Sequence, residues 1–416
     1  MRQARNVFLI VVWVCVTAAV VSADDLQGAI YFDADANSIS LYEQDFSGPD
    51  QGVDGVDVIL FGHTNYAESV TAGGGGFEFS DVGPGRYLLH LDVGGTHECV
   101  TNNRSLRLPF AVVEGDVKVV AFGDSNGVVG SDVPYPQHVT NYLGDFADAE
   151  LDNQSIAGSL AREWVPGAPE GYFDDNLLPA IADADVITFT LGGNDLLDHF
   201  GDPPFELADL LLALATFPPV FNEIKGDIEE IAAAVHAANP DADLVYLVYP
   251  VFANSELWAE VNGEDLIPMV RQLMTTIFGN MRVEFSDIPY LILADIMGSV
   301  SPEVMIDEFL YDDIHPNDAG HIWYANEVFK SLGGIIAGEE KATLERSFGF
   351  DAAALTPGES LDPGDYEPPG AIGDDDDTTG DDDDTAGDDD ASDDDATGDD
   401  DDADGDDDDD TDGGCG

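Results

Sequence analysis

The stretch Phe122-Gly-Asp-Ser-Asn-Gly-Val-Val-Gly130 follows the run Val117-Lys-Val-Val-Ala and stops it with a glycine, a carboxylate and a hydroxyl. A nearly continuous apolar run that does not alternate is the pattern of a parallel strand covered on both faces. Val186 to Leu191, Leu244 to Tyr249 and Tyr290 to Leu293 repeat that pattern. Between them Ile224, Ile228, Ile231 and Val235 fall on one helical face, which Ala238-Asn239-Pro240 brings to an end. A last helix is predicted over about Ala319 to Leu332, after Pro316. Strands alternating with helices predict an α/β sandwich on a parallel sheet, covering 115–335.

In such a sheet, binding sites gather beyond the carboxyl ends of the strands, so the residues after each run belong together. After the first comes Gly123-Asp124-Ser125. After Leu151 to Ile156, a more polar strand candidate, comes Ala157-Gly158-Ser159. After the next comes Gly192-Gly193-Asn194-Asp195, and before the last helix comes Asp312-Asp313-Ile314-His315-Pro316. Singly these are turns, helix caps and a surface histidine. Together they supply what serine-based ester hydrolysis needs: a hydroxyl, an imidazole base, a carboxylate to orient it and donors for the oxyanion. Ser125 is the hydroxyl and His315 the base. Asp312, three residues earlier, can reach the other imidazole nitrogen across one turn; Asp313 is the competing carboxylate, disfavoured because adjacent residues generally point apart. The Ser125 amide, the Gly158 amide and the Asn194 side chain are the expected oxyanion donors.

The four segments, in order and spacing, resemble blocks I, II, III and V of the SGNH (GDSL-type) hydrolases. Tyr135-Pro136 leading into a helix and the run Asp312 to His321 extend the resemblance over about 220 residues. It implies a flavodoxin-like α/β/α sandwich, Ser125 as nucleophile, a triad completed by Asp312 and His315, and Gly158 and Asn194 in the oxyanion hole. It also implies no required cofactor and an ester substrate of the lysophospholipase, acyl-esterase or carbohydrate-esterase kind. Asn126 departs from the family, which has an aliphatic residue there. A nucleotide-binding reading of the glycines fails for want of a phosphate-loop lysine or dinucleotide spacing. Phe200 to Phe221 reads either as an apolar lid over acyl chains or as a packed helix.

Residues 24–113 carry only short β-prone runs, Ala29 to Phe32, Val56 to Phe61, Phe77 to Phe79 and Tyr87 to Val93, separated by Gly/Pro/Asp turns. A small all-β sandwich is expected there, similar to the B-type, prealbumin-like repeats of bacterial surface adhesins. That resemblance implies a calcium loop at Asp33, Asp35 and Asn37, where a solvated acidic turn fits equally. An alternative function follows: a cell-surface binding protein that uses the hydrolase fold as scaffold.

The ends of the chain carry their own expectations. Residues 1–23 have Arg2 and Arg5 before an apolar run and Val21-Ser22-Ala23 after it, the pattern of a cleaved export signal, so a secreted or cell-surface protein is expected. Residues 336–373 read as linker, and 374–416 as a disordered Asp-rich tail. Attachment to a surface through Cys415 is one expectation for that tail. Of three cysteines, Cys99 and Cys415 lie outside the signal and imply no disulfide framework. The 416 residues hold 86 acidic and 13 basic side chains, a net charge of −73. Without the 25 aspartates of the tail the balance is still −48. Such a surface excludes nucleic acid as a partner, and divalent cations should gather on the tail.

Overall fold

A computed structural model describes residues 24–32, 51–52, 55–62, 66–70, 72–92, 99–101, 104–106, 116–200, 207–249, 267–296, 309–310, 315–338 and 343–350. The N-terminal part is built of strands β1 (Asp24–Phe32), β2 (Gln51–Gly52), β3 (Asp57–Gly62), β4 (Tyr66–Val70), β5 (Gly76–Val82) and β6 (Gly85–Asp92). The pair β7 (Cys99–Thr101) and β8 (Arg104–Leu106) forms its own small ladder. In β5, buried Phe77 and Phe79 alternate with exposed Glu78 and Ser80, the period-2 signature of a sheet with one face in the core.

The α/β part begins with β9 (Asp116–Gly123), followed by helix α1 (Tyr135–Leu143), β10 (Asp148–Asn153) and β11 (Val186–Thr190). After β11 come α2 (Gly193–Phe200), α3 (Leu207–Ala238) and β12 (Asp243–Leu247). Helix α4 (Ile267–Ser286), β13 (Leu291–Ala294) and helix α5 (Asp318–Ser331) complete it. The five strands form one parallel sheet in the order β10-β9-β11-β12-β13. This is the flavodoxin-like α/β fold, and the strand order reverses direction at β9 and β11, where such sheets open a crevice. Every residue of β11, β12 and β13 is buried, as continuous apolar runs require.

Helices cover both faces. On one, α1 meets α5 through Tyr142 edge-on to Phe329 at 5.7 Å and Tyr135 edge-on to Tyr324 at 6.1 Å. On the other, Ile224, Ile228, Ile231 and Val235 of α3 are buried as their spacing predicts. The helix stops at Ala238 because the Asn239 side chain donates to the Ile181 and Ala184 carbonyls at 2.8 and 2.7 Å. Phe200 to Phe221 resolves, from Leu207 on, as the first half of α3. There Phe217 is buried and Leu212 is 64 % exposed. Among the described residues no helix is long and apolar enough to cross a membrane.

The stretch read as linker from 336 differs. Strand β14 (Gly334–Ala337) pairs antiparallel with β6, and β15 (Thr343–Phe350) pairs parallel with β1. Each thereby extends one of the two N-terminal sheets, ordered β14-β6-β3-β4 and β15-β1-β2 with β5 on β1. The acid, Gly and Pro content averaged over 338–373 concealed the short run Thr343 to Phe350, in which Leu344, Phe348 and Phe350 share one parity. Asp33, Asp35 and Asn37 of the expected calcium loop, the export signal and the Asp-rich tail lie outside the described residues. No cluster of three or more metal-ligating side chains occurs among the described ones.

Candidate active site

Strand β9 ends where its neighbour needs room. Gly123 adopts φ +110, and a Cβ there would collide with the Thr190 carbonyl at the end of β11. The turn that only glycine permits sends the Asp124 amide to that same carbonyl at 3.0 Å. Ser125 then opens a short 3-10 turn, Ser125–Gly127, with 8 % of its surface exposed. The serine thus stands beyond the carboxyl end of β9, at the switch point of the sheet.

Asp124 caps that turn from beneath. Its Oδ1 accepts the Asn126 amide at 3.0 Å and the Thr190 hydroxyl at 2.8 Å, and its Oδ2 accepts the Tyr249 hydroxyl. Burial pushes the Asp124 carboxyl up to about 6, against the pull of the Tyr249, Asn126 and Thr190 hydrogen bonds and the charge of His315. Burial likewise raises the Tyr249 hydroxyl well above its ordinary range, so it stays a donor. Asn126 is buried, and its side-chain oxygen has no partner among the described residues.

The loops after β10 and β11 are tied to the serine turn and to each other. Ile156 donates its amide to the Gly123 carbonyl at 2.7 Å, and the Ser159 hydroxyl donates to the same oxygen at 3.0 Å. Trp164 secures Ser159 through an indole N–H bond of 2.9 Å. The Asn194 amide donates one hydrogen to the Ser159 carbonyl at 2.9 Å, and the buried Asp195 carboxylate accepts the Ala161 amide at 2.9 Å. Gly158 sits third in a turn closed by the Ser159 amide on the Ile156 carbonyl, with φ +82. Among the described residues no acceptor takes the Ser125 or Gly158 amide.

The last piece comes from the far end of the chain. His315 lies just before α5, whose first turn is capped by the Asn317 side chain accepting the Gly320 amide at 2.9 Å. Its Nε2 is 2.9 Å from Ser125 Oγ, across 190 positions of sequence. A hydroxyl, an imidazole within hydrogen-bond reach and unclaimed amides at one strand end are the parts of an acyl-transfer site.

Residues 121–322 match the family model described as GDSL-like Lipase/Acylhydrolase, a span that takes in Ser125, Gly158, Asn194 and His315. These residues form a GDSL-like, ester-hydrolysing domain. Among solved structures, this chain is similar to a phospholipase A1 from Streptomyces albidoflavus NA297, with 18 % identity over 52 % of this chain and 99 % of that one and a TM-score of 0.39. A variant of an acetyl xylan esterase from Geobacillus stearothermophilus is similar at 14 % identity, over 54 % and 97 %, with a TM-score of 0.36. A two-domain esterase active on acetylated mannans shares 18 % identity over 53 % and 50 %, with a TM-score of 0.33. No curated protein matches the chain.

In the GDSL-like domain, the structure brings Ser125, Gly158, Asn194 and His315 to one edge of the sheet, while Asp312 and Asp313 lie outside the described residues. Sequence reasoning missed the Asp124 network. A carboxylate wedged between a buried strand and a nucleophile candidate, with a Tyr closing the run Leu244 to Tyr249, is the signal that could have found it.

Proposed function

We propose that the protein is a serine ester hydrolase in which Ser125 attacks the ester carbonyl, His315 relays the proton and Asp312 orients the imidazole. The observation that carries this reading is the 2.9 Å contact between His315 Nε2 and Ser125 Oγ. In the first half-reaction Ser125 Oγ bonds to the carbonyl carbon and passes its proton to His315. The tetrahedral oxyanion is met by the Ser125 and Gly158 amides and by the second amide hydrogen of Asn194. Collapse expels the alcohol, which takes the proton from His315, and water then repeats the sequence on the acyl-enzyme. All groups needed belong to the chain, so no cofactor enters a step.

A phospholipase and two carbohydrate esterases stand among the similar structures, so acyl-lipid and acetylated-carbohydrate esters are the two classes to compare. Export through residues 1–23 would bring the enzyme to extracellular esters of either class. Turnover of p-nitrophenyl esters of graded chain length against acetylated xylo-oligosaccharides decides between them. Replacing Asp312 should cost far more activity than replacing Asp313, and equal losses would reassign the orienting carboxylate.

A further inference from the structure

His321 stands on the first turn of α5, six residues beyond His315, and its side chain is fully buried. Two main-chain groups fix its protonation. The Tyr135 amide donates to Nδ1 at 3.0 Å, so Nδ1 carries no proton. Nε2 lies 2.8 Å from the Val129 carbonyl oxygen, which can only accept, so Nε2 carries the hydrogen. The ring is therefore neutral and in one tautomer.

Both partners belong to the segment that follows the serine. Val129 donates its amide to the Ser125 carbonyl at 2.8 Å, and Tyr135 is the first residue of α1. On its other side, the His321 amide donates to the Asn317 carbonyl at 2.9 Å, two residues from His315. The two segments touch directly as well, since a Cβ at Gly130, at φ +99, would collide with the Pro316 carbonyl. Hydrogen bonds thus run from Ser125 through Val129 and His321 to Asn317, and the circuit closes through His315 on Ser125 Oγ.

We propose that His321 is a positioning residue for ester hydrolysis: neutral, it holds the loop of Ser125 and the segment of His315 in register, and protonation releases them. This rests on the reading of Ser125 and His315 as nucleophile and base. A proton on Nδ1 would face the Tyr135 N–H with a second donor, and the strut would open there. The titratable groups around the ring are His138 and Tyr135 on α1, Asp318 and Tyr324 on α5, and His315. Burial holds its pKa below the usual histidine range, with His138 and His315 acting in the same direction and the Val129 bond and Asp318 opposing. The strut is accordingly intact at neutral pH and lost as pH falls through that lowered value. Loss of activity in acid then includes one proton taken up by His321.

The test compares full-length wild type, His321→Leu and His321→Gln for kcat and KM on p-nitrophenyl acetate across the acid limb, with Tm measured alongside. At neutral to weakly basic pH the Leu variant should lose on the order of 10² in kcat with KM little changed, since only the alignment of reacting groups is disturbed. Gln keeps a donor for Val129 and cannot take up a proton, so it should recover about tenfold of that loss by restoring one of the two bonds. Its acid limb should fall with one proton fewer than that of wild type. A folded Leu variant with wild-type kcat, or a Gln variant with the wild-type limb, overturns the proposal. If neither variant folds, a one-proton limb in wild type overturns it and a two-proton limb sustains it. Fluorophosphonate labelling of wild type separates the two claims: labelled wild type with indifferent His321 variants removes only the strut, whereas unlabelled, inactive wild type removes the underlying assignment.

Discussion

The Leu89 amide of β6 donates to the Gly333 carbonyl at 3.0 Å, directly between the end of α5 and the start of β14. The helix that follows His315 therefore runs into the N-terminal sheets without a free linker, and Arg86 adds an ion pair to Asp145 and a cation–π contact with Tyr142 at 4.5 Å. A chain starting at Asp116 would leave β14 without its ladder and bare Ile335 and Ala337, both buried. Full-length protein should melt in one transition and the shortened chain should melt lower or aggregate. An unchanged Tm for the shortened chain would show that the two parts are independent.

Among the described residues the Asn194 side chain makes one hydrogen bond, to the Ser159 carbonyl, and in the proposed mechanism its second amide hydrogen meets the oxyanion. Asn194→Ala should lower kcat about 10²- to 10³-fold with KM little changed. A rise in KM at constant kcat would mean that it binds the ground state alone.

Asp227 on α3 is pushed up to about 6 by burial and by the carboxylates of Asp195, Glu230 and Glu223, against the pull of Arg162. Because its folded pKa lies above the unfolded one, its ionisation is a cost that grows as pH rises from about 4 through 6. Asp227→Asn should therefore stabilise the protein at pH 8, by about 1 kcal/mol once solvent screening at this partly exposed position is allowed for, and should do nothing at pH 4. Urea unfolding at the two pH values checks the sign. An equal effect at both would show that charge is not the cause.

Self-repulsion should also be visible in salt. With a balance of −48 outside the Asp-rich tail, screening over a Debye length of about 8 Å at physiological ionic strength should relieve many carboxylate pairs at once. Tm of a chain ending before Gly373, which keeps β15, should rise with sodium chloride. A flat or falling Tm up to about 1 M, where the Debye length is about 3 Å, would contradict this.

The parallel strands were legible because burial on both faces leaves nothing to alternate: Val117 to Phe122 and Val186 to Leu191 fall within a residue of β9 and β11. Short glycine-containing segments marked Ser125, Gly158 and Asn194, and the run Asp312 to Pro316 marked His315, because each follows or precedes a core element. β14 and β15 were hidden for a different reason. Their partners β6 and β1 lie about 250 and 320 residues earlier, and a strand of few residues amid acid, Gly and Pro has no local signal of its pairing. The roles of Asp124 and His321 were equally invisible, since a buried carboxylate and a buried imidazole are specified by main-chain and hydroxyl partners that only the fold collects.

The most direct test of the whole account is covalent labelling by a fluorophosphonate, read by mass spectrometry of the modified peptide. Wild type should take up one equivalent on Ser125, Ser125→Ala none, and His315→Ala should react orders of magnitude more slowly, because the hydroxyl is a poor nucleophile without its base. Label on another residue, or equal labelling of wild type and Ser125→Ala, would contradict the assignment of Ser125 as the nucleophile.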